Sequence, residues 1–397
     1  MEQPIKRAMK IAMVDPSLFT GRYDDSLCAA LGEAGHDVTL LGRPRRVTDA
    51  IAEAHAQYHY NPHFFRFAER LRGGLGEGRA FRLIKGAEYM ATARFGAAEA
   101  LGAADVVHMQ WLPLPMADRQ LLVRLKQGKR RPALVHTVHN ASAFHGDSGA
   151  QGRGYSALLA QFDALIVHGE ETRSALIARG LAGDHIHIIP HPPMELAQAN
   201  GDDLLAVPDA ACPRILFFGT IRPYKGFDLL IEAALALWRE GAEFELAVAG
   251  KPFMDIEPLL AKVRGAGFEK RLLLDLGFLH EERLDAHMRK ADIIAFPYRD
   301  IDSSGAFLSA LSHGKAMAVT RVGMFAAMDE QSVSLCEPEN MSALADSLRI
   351  LVMNAQERVR LGQAALALRA ELGQWSDAAW ATMKVYESAM KKARANL

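Results

Sequence analysis

The stretch "FFGTIRPYKGFDLLIEA", residues 217–233, sets Arg222 and Lys225 between an apolar run ending at Gly219 and a segment in which Phe227, Leu229, Leu230, Ala233, Leu237 and Trp238 recur at helical spacing. Strand, loop and helix in that order place both cations at a helix N-terminus. Free N–H groups and the helix dipole already favour negative charge there, and Gly226 lets the backbone approach a ligand closely. The chemistry this suits is the holding of a diphosphate, whose charge grows as it departs as a leaving group. A plain basic surface turn would carry the same residues.

A second anion site is expected in "YRDIDSSGAFLSALSHGKAMAVT", residues 298–320. After a strand ending at Pro297, Ser303, Ser304 and Gly305 read as a helix start, with hydroxyls able to cap and N–H groups around Gly305 and Ala306 open to phosphate oxygens. Asp300 and Asp302 mimic the acidic DxD of metal-dependent sugar transfer, a pattern frequent by chance, and no metal is expected. In the first half of the chain, His139 closes the apolar run "ALVHTVH". A neutral imidazole at that point suits a hydrogen bond to a sugar hydroxyl or to backbone, and a purely structural histidine fits equally. His108 ends a comparable run.

These residues need strands that end where they stand. Short apolar runs at 10–15, 37–42, 104–111, 133–140, 164–169 and 185–191 alternate with helix-period segments such as 23–35 and 170–180. The pattern restarts at 214–219, 244–250, 271–278, 291–298, 315–320 and 333–337. Repeated strand-then-helix order predicts parallel sheets covered on both faces, here two Rossmann-like α/β domains facing one another across a cleft. The first is expected over 1–192 and the second over 193–374, with the turn-rich "PHPPMELAQANGDD" as linker and a final helix over 375–397 packing back on the first. Ligands are expected at the carboxyl ends of the strands.

Residues 58–100 break the alternation. They mix aromatic and aliphatic side chains with Arg66, Arg70, Arg72, Arg79, Arg82 and Lys85. That composition suits anionic lipid head groups or an amphiphilic substrate, and also a solvated helical hairpin turning at the glycines of 73–78. Those glycines follow no strand and do not fit GxGxxG, so they are no dinucleotide fingerprint.

The 397 residues carry a formal net charge of −1, which argues against a nucleic-acid binder. Cys28, Cys212 and Cys336 lie far apart without CxxC spacing and read as thiols in a reducing compartment. No signal-peptide core forms near the N-terminus and no run approaches a membrane span, so a cytoplasmic protein is expected, with peripheral contact to anionic membrane left open.

The pieces "GTIRPYKGFDLLIEA", "LAVAGKP", "LDLGFLHEERLDAHMRKADIIAFPY" and "SGAFLSALSHGKAMAVTRVG", with "ADVVHMQW", "LVHTVHN", "ALIVHGEETRSALIARG" and the closing "WSDAAWATMKVYESA", resemble GT-B glycosyltransferases of family 4 over nearly the whole chain. The resemblance implies a retaining, metal-independent hexosyltransferase using a UDP- or GDP-sugar, without further cofactor. Its acceptor would be a glycan or lipid-linked sugar, in surface or exopolysaccharide synthesis. Gly219, Thr220, Arg222, Lys225, Ser304, Gly305, Ala306 and Ser309 would line the donor, and His139 would lie near its sugar. In the loop "DPSLFTGRYDDS", Thr20, Gly21 and Asp24 would approach donor or acceptor, Asp24 serving as base if the reaction inverts. Two departures stand out. Thr220 occupies the place of the family's arginine, so Arg222 would supply that charge, and the paired glutamates fall at Ile301 and Ser309. Two other readings stay open. A sugar-nucleotide epimerase of the same architecture would want acidic residues in the cleft, and a non-catalytic two-lobed binder would fit an exported protein better.

Overall fold

The computed structural model describes residues 7–46, 49, 57–76, 78–128, 130–140 and 154–395. The ends of the terminal readings, residues 1–6 and 396–397, lie outside the described residues. The chain divides into two compact units, Met1–His191 with Gln374–Leu397, and Pro192–Gly373.

The first unit holds a seven-stranded parallel sheet in the order β3-β2-β1-β4-β5-β6-β7. Its strands are β1 (Lys10–Val14), β2 (Asp37–Leu41), β3 (His59–Asn61), β4 (Val106–Met109), β5 (Ala133–Thr137), β6 (Ala164–Val167) and β7 (Ile186–Ile188). β1, β4, β5 and β6 are buried almost throughout because helices cover both faces, which is why they read as continuous apolar runs and not as alternations. The final helix, Trp375–Ala395, lays Ala378, Ala379, Val385, Tyr386 and Ala389 into the core on one face of this sheet. Tyr386 is pinned further by its hydroxyl, 2.7 Å from His108 Nδ1, while His108 Nε2 lies 2.7 Å from Thr137 Oγ1. Fully buried, with both ring nitrogens occupied and burial pulling it down to about 3, His108 is a neutral pin between strand and helix.

Residues 58–100 contribute the edge strand β3, two helices, Arg66–Leu75 and Arg79–Phe95, and most of a short third, Ala97–Leu101. The strand was not anticipated: three residues in length, with alternating exposure, give too little periodicity to read. The hairpin is built into the unit, with Phe81, Tyr89 and Ala93 buried and the Tyr89 hydroxyl on the Asp118 carboxyl at 2.5 Å. Its exposed residues include Arg79, Arg82 and Arg94 as well as Leu83, Met90 and Phe95. Glu88, the carboxylate of that helix, turns inward and accepts the N–H groups of Phe67 and Ala68 at the start of the neighbouring helix.

The second unit repeats the design with six parallel strands in the order β10-β9-β8-β11-β12-β13. They are β8 (Arg214–Phe218), β9 (Glu245–Gly250), β10 (Leu272–Leu276), β11 (Ile293–Phe296), β12 (Ala316–Thr320) and β13 (Ser334–Cys336). β8 and β11 are adjacent, so the loops leaving their carboxyl ends emerge side by side. These are the two loops that the sequence marks for anions.

Candidate active site

The loop after β8 is held in one shape by glycine and by an arginine fork. Gly219 and Gly226 have φ of +92° and +67°, a region that side chains disfavour. A Cβ on Gly226 would also stand 1.8 Å from the Pro297 carbonyl oxygen, so the loop after β11 touches bare backbone. From that second loop, Arg299 donates to both carboxylate oxygens of Asp228, at 2.8 and 2.7 Å, and to the Pro223 carbonyl at 2.9 Å. Its backbone N–H also donates to the Tyr224 carbonyl at 2.7 Å. Asp228, in the first turn of helix Phe227–Arg239, is thereby paired by the neighbouring loop.

Lys225 and Arg222 are left without counter-ions among the described residues. Lys225 is only 7% exposed, its ammonium 5.2 Å from the Tyr298 ring centre and close against Gly219. Burial, with help from the Arg222 charge, lowers its pKa. Arg222 spreads its guanidinium over Phe253 at 4.2 Å. Lys251, at the end of β9, lies 4.0 Å from the centre of Phe278 and 5.3 Å from that of Phe253. Three cations and two exposed, edge-on aromatic rings thus gather where β8, β9 and β10 end. Charge there meets a phosphate, and an open aromatic face meets a planar base.

The loop after β11 ends at helix Gly305–Ala310, with Ser304 as its cap. The Ser304 hydroxyl accepts the Phe307 N–H at 3.2 Å, so it is already used within the helix start. The N–H groups of Gly305 and Ala306 bond to no described residue. The Met194 methyl lies over Gly305, 2.5 Å from where a Cβ would stand. Ser309 is buried and donates to the Gly305 carbonyl at 2.9 Å, and Ile301 is buried as well. The family's two glutamate positions therefore hold a hydroxyl turned inward and an apolar side chain. Thr220 lies between the positive-φ Gly219 and Ile221, whose N–H bonds the Lys251 carbonyl. Asp300 and Asp302 have no third ligand beside them: among the described residues no cluster of histidine, cysteine, aspartate or glutamate is arranged to hold a metal.

In the first unit, the loop after β1 wraps on a buried carboxyl. Asp15 accepts the N–H groups of Ser17 and Thr20, at 3.2 and 3.0 Å, and Leu18 adopts a φ of +51° to permit it. Thr20 precedes Gly21, the first residue of helix Gly21–Glu33. Its hydroxyl is 3.5 Å from Asp24 and accepts the Trp111 indole N–H at 3.0 Å. Asp24 is fully buried, and burial plus the neighbouring Asp15 raise its pKa well above the usual range. With the backbone donors on Asp15, the proton of the pair rests on Asp24. Asp24 is thus a fully buried carboxyl in the first turn of helix Gly21–Glu33, with its pKa raised by burial and by Asp15.

His139 stands just past β5, buried, stacked on Trp111 with ring centres 5.5 Å apart and met edge-on by Tyr23. Its Nε2 lies 2.8 Å from the Gln110 side-chain amide and its Nδ1 3.4 Å from His168 Nε2. Gln110, Trp111 and His168, which sequence reasoning passed over, all follow the ends of β4 and β6. Their position at carboxyl ends is the signal that would have found them.

Two family models match: that of the glycosyl transferase 4-like domain over residues 20–192, and that of glycosyl transferases group 1 over residues 212–354. The chain belongs to the group 1 glycosyltransferases. As such a glycosyltransferase it is 28% identical to a D-inositol 3-phosphate glycosyltransferase of Xylanimonas cellulosilytica, over 65% of its own length and 67% of the relative's. It spans about two thirds of the length of the relatives of that name. A shorter match, 28% identical over 25% of the chain and 28% of the relative, is to a GDP-mannose:glycolipid 4-beta-D-mannosyltransferase of Xanthomonas campestris pv. campestris. Among solved structures, Anabaena HepE in complex with UDP and glucose aligns over 96% of the chain and all of its own, with a TM-score of 0.72 at 15% identity. That likeness places the glycosyltransferase in the GT-B fold.

Proposed function

We propose that the protein transfers a hexose from a UDP- or GDP-sugar to a glycan or lipid-linked acceptor, with retention, in the synthesis of a surface polysaccharide. The observation that carries this reading is the buried ammonium of Lys225, without a counter-ion among the described residues, beside Arg222, both on the strand-to-helix loop of the second unit. The diphosphate of the donor lies against those two cations and the N–H groups of Gly305 and Ala306, and its base beside Phe253 and Phe278. In the transfer, the bond from sugar C1 to the diphosphate oxygen breaks and a bond from C1 to the acceptor oxygen forms on the same face. The acceptor proton passes to the departing phosphate, so no protein carboxylate is required, in keeping with Asp24 being held as a neutral acid. Charge develops on the leaving oxygens, and the fixed cations stabilise it there. No metal or other cofactor takes part in this reading.

A lipid-linked acceptor is favoured by helix Arg79–Phe95, whose exposed residues include both cations and large apolar side chains. The glycolipid named as acceptor for the Xanthomonas relative supports the same class. The test is turnover of radiolabelled UDP- and GDP-hexoses with extracted membrane lipid as acceptor. Wild type labels the lipid, and Lys225→Ala labels it at least about a hundredfold more slowly while keeping its fold. Turnover of Lys225→Ala near that of wild type would refute the reading.

A further inference from the structure

A cavity of about 490 Å³ opens in the second unit, and no residue of either anion loop lines it. Arg289, in the last turn of helix Glu281–Lys290, stands just before β11, and Ser312, His313 and Lys315 stand on the stretch that leads into β12. The cavity therefore lies by the amino ends of these two strands, whereas the loops carrying Lys225 and Gly305 follow carboxyl ends. The rest of its lining is Glu195, Leu196 and Gln198, with Leu366 and Arg369 of helix Ala355–Glu371.

The charges around this space do not cancel. Asp285 is buried and accepts from Arg289 Nε at 2.5 Å, from His313 Nε2 at 2.8 Å and from the Ala199 N–H at 2.9 Å. That carboxylate answers Arg289, and three donors occupy its oxygens. Glu195 pairs with Arg369 from an exposed position, where an ion pair contributes little. Lys315 donates to the Arg289 carbonyl oxygen at 2.9 Å and pairs with no carboxylate among the described residues. Arg369 Nε donates to the Ser312 hydroxyl oxygen at 2.9 Å. Nη1 and Nη2 of Arg289 and Nη1 of Arg369 bond to no described residue. Charged donors are thus in excess around one space. Two guanidinium groups and an ammonium suit a tetrahedral oxyanion carrying nearly two charges, which accepts from more directions than a carboxylate does. The cavity is larger than a phosphate group, and Leu196, Leu366 and Gln198 give the mixed apolar and polar wall that a small attached body would meet.

We propose that this cavity binds the phosphate group of a small phosphorylated molecule between Arg289, Lys315 and Arg369, as a second anion site separate from the one at Lys225. The site stands whether or not the chain transfers sugar.

Calorimetric titration of the full chain with inorganic phosphate and with glucose 6-phosphate, at constant ionic strength, tests this. Lys225→Met serves as the parent, so that an anion held by the loop after β8 does not mask the second site. The parent is expected to bind both compounds, and Lys315→Met or Arg369→Met added to it should weaken each at least about tenfold. Tighter binding of the sugar phosphate identifies an attached body as part of the ligand, and tighter binding of inorganic phosphate identifies the free ion. In wild type, saturating phosphate is expected to slow amide hydrogen exchange over residues 311–316, a readout that needs no variant to fold. No binding by the Lys225→Met parent, or binding that survives both added substitutions, overturns the site. So does exchange over 311–316 that saturating phosphate leaves unchanged. Failure of the transferase reading would show instead in nucleotide titrations, and none of these outcomes depends on it.

Discussion

An ammonium without a counter-ion inside a folded domain is an electrostatic cost that a ligand's charge would offset, and Lys225 carries that cost in the unliganded chain. Its pKa is lowered in the folded state, so the unfolded chain holds the proton more tightly. The stability of the unliganded protein therefore rises with pH as it climbs from the lowered value toward the ordinary lysine value of 10.5. Lys225→Met keeps the stem and removes the charge. Its expected effect is a gain of about 1 kcal/mol, roughly 2–4 °C in the melting temperature of the unit, together with loss of that pH dependence. Melting curves of both proteins between neutral and alkaline pH check this, and equal slopes would contradict it. Asp24 gives the opposite kind of prediction. Because it already holds a proton, Asp24→Asn is expected to retain turnover within about tenfold, where loss of a general base would cost a hundredfold or more. A larger loss in a steady-state assay would return Asp24 to the chemistry.

At the scale of elements, the anion loop is shaped by contacts that cross from one strand end to the next. Gly226→Ala puts a methyl against the Pro297 carbonyl in a left-handed conformation. It is expected to cost about 1–3 kcal/mol and to abolish nucleotide binding, as denaturant melts and titration would show. Arg299→Met removes the fork that ties the loop after β11 to Pro223 and Asp228, and is expected to weaken nucleotide binding about tenfold without altering the base preference. A change of base preference in the titration would place Arg299 at the wrong end of the site. The strands were legible because parallel strands covered on both faces are continuous apolar runs, and the loop was legible because Arg222, Lys225 and Gly226 are neighbours in the chain. The Arg299–Asp228 fork was not, since its partners lie on separate elements and either residue alone reads as a surface charge. The same holds for Phe253 with Phe278, and for Gln110 and His168 around His139. These groupings exist only after the sheet order brings strand ends together.

For the molecule as a whole, length and apolar patterning were enough to read two parallel sheets, and Gln374–Leu397, with helix Trp375–Ala395, group with the first unit. The acceptor side was less legible, because the mixture in residues 58–100 fits both a buried hairpin and an exposed amphiphilic one, and the structure buries part of it and exposes the rest. No helix among the described residues is long and apolar enough to cross a membrane. The exposed Arg79, Arg82 and Arg94 are expected to bind anionic vesicles with about 1 kcal/mol from each cation. Flotation with phosphatidylglycerol vesicles at low and high salt measures it. Replacing the three arginines with glutamate should abolish binding, and flotation that persists in that variant would remove the argument for a lipid-linked acceptor.

Lys225 is proposed to hold the diphosphate of a nucleotide. Calorimetric titration of wild type and Lys225→Met with UDP, GDP, uridine and guanosine tests it most directly. One diphosphate should bind wild type at least about a hundredfold more tightly than its nucleoside, and in Lys225→Met that advantage should largely disappear. Equal affinity for nucleoside and diphosphate, or an advantage that survives the substitution, would contradict the account.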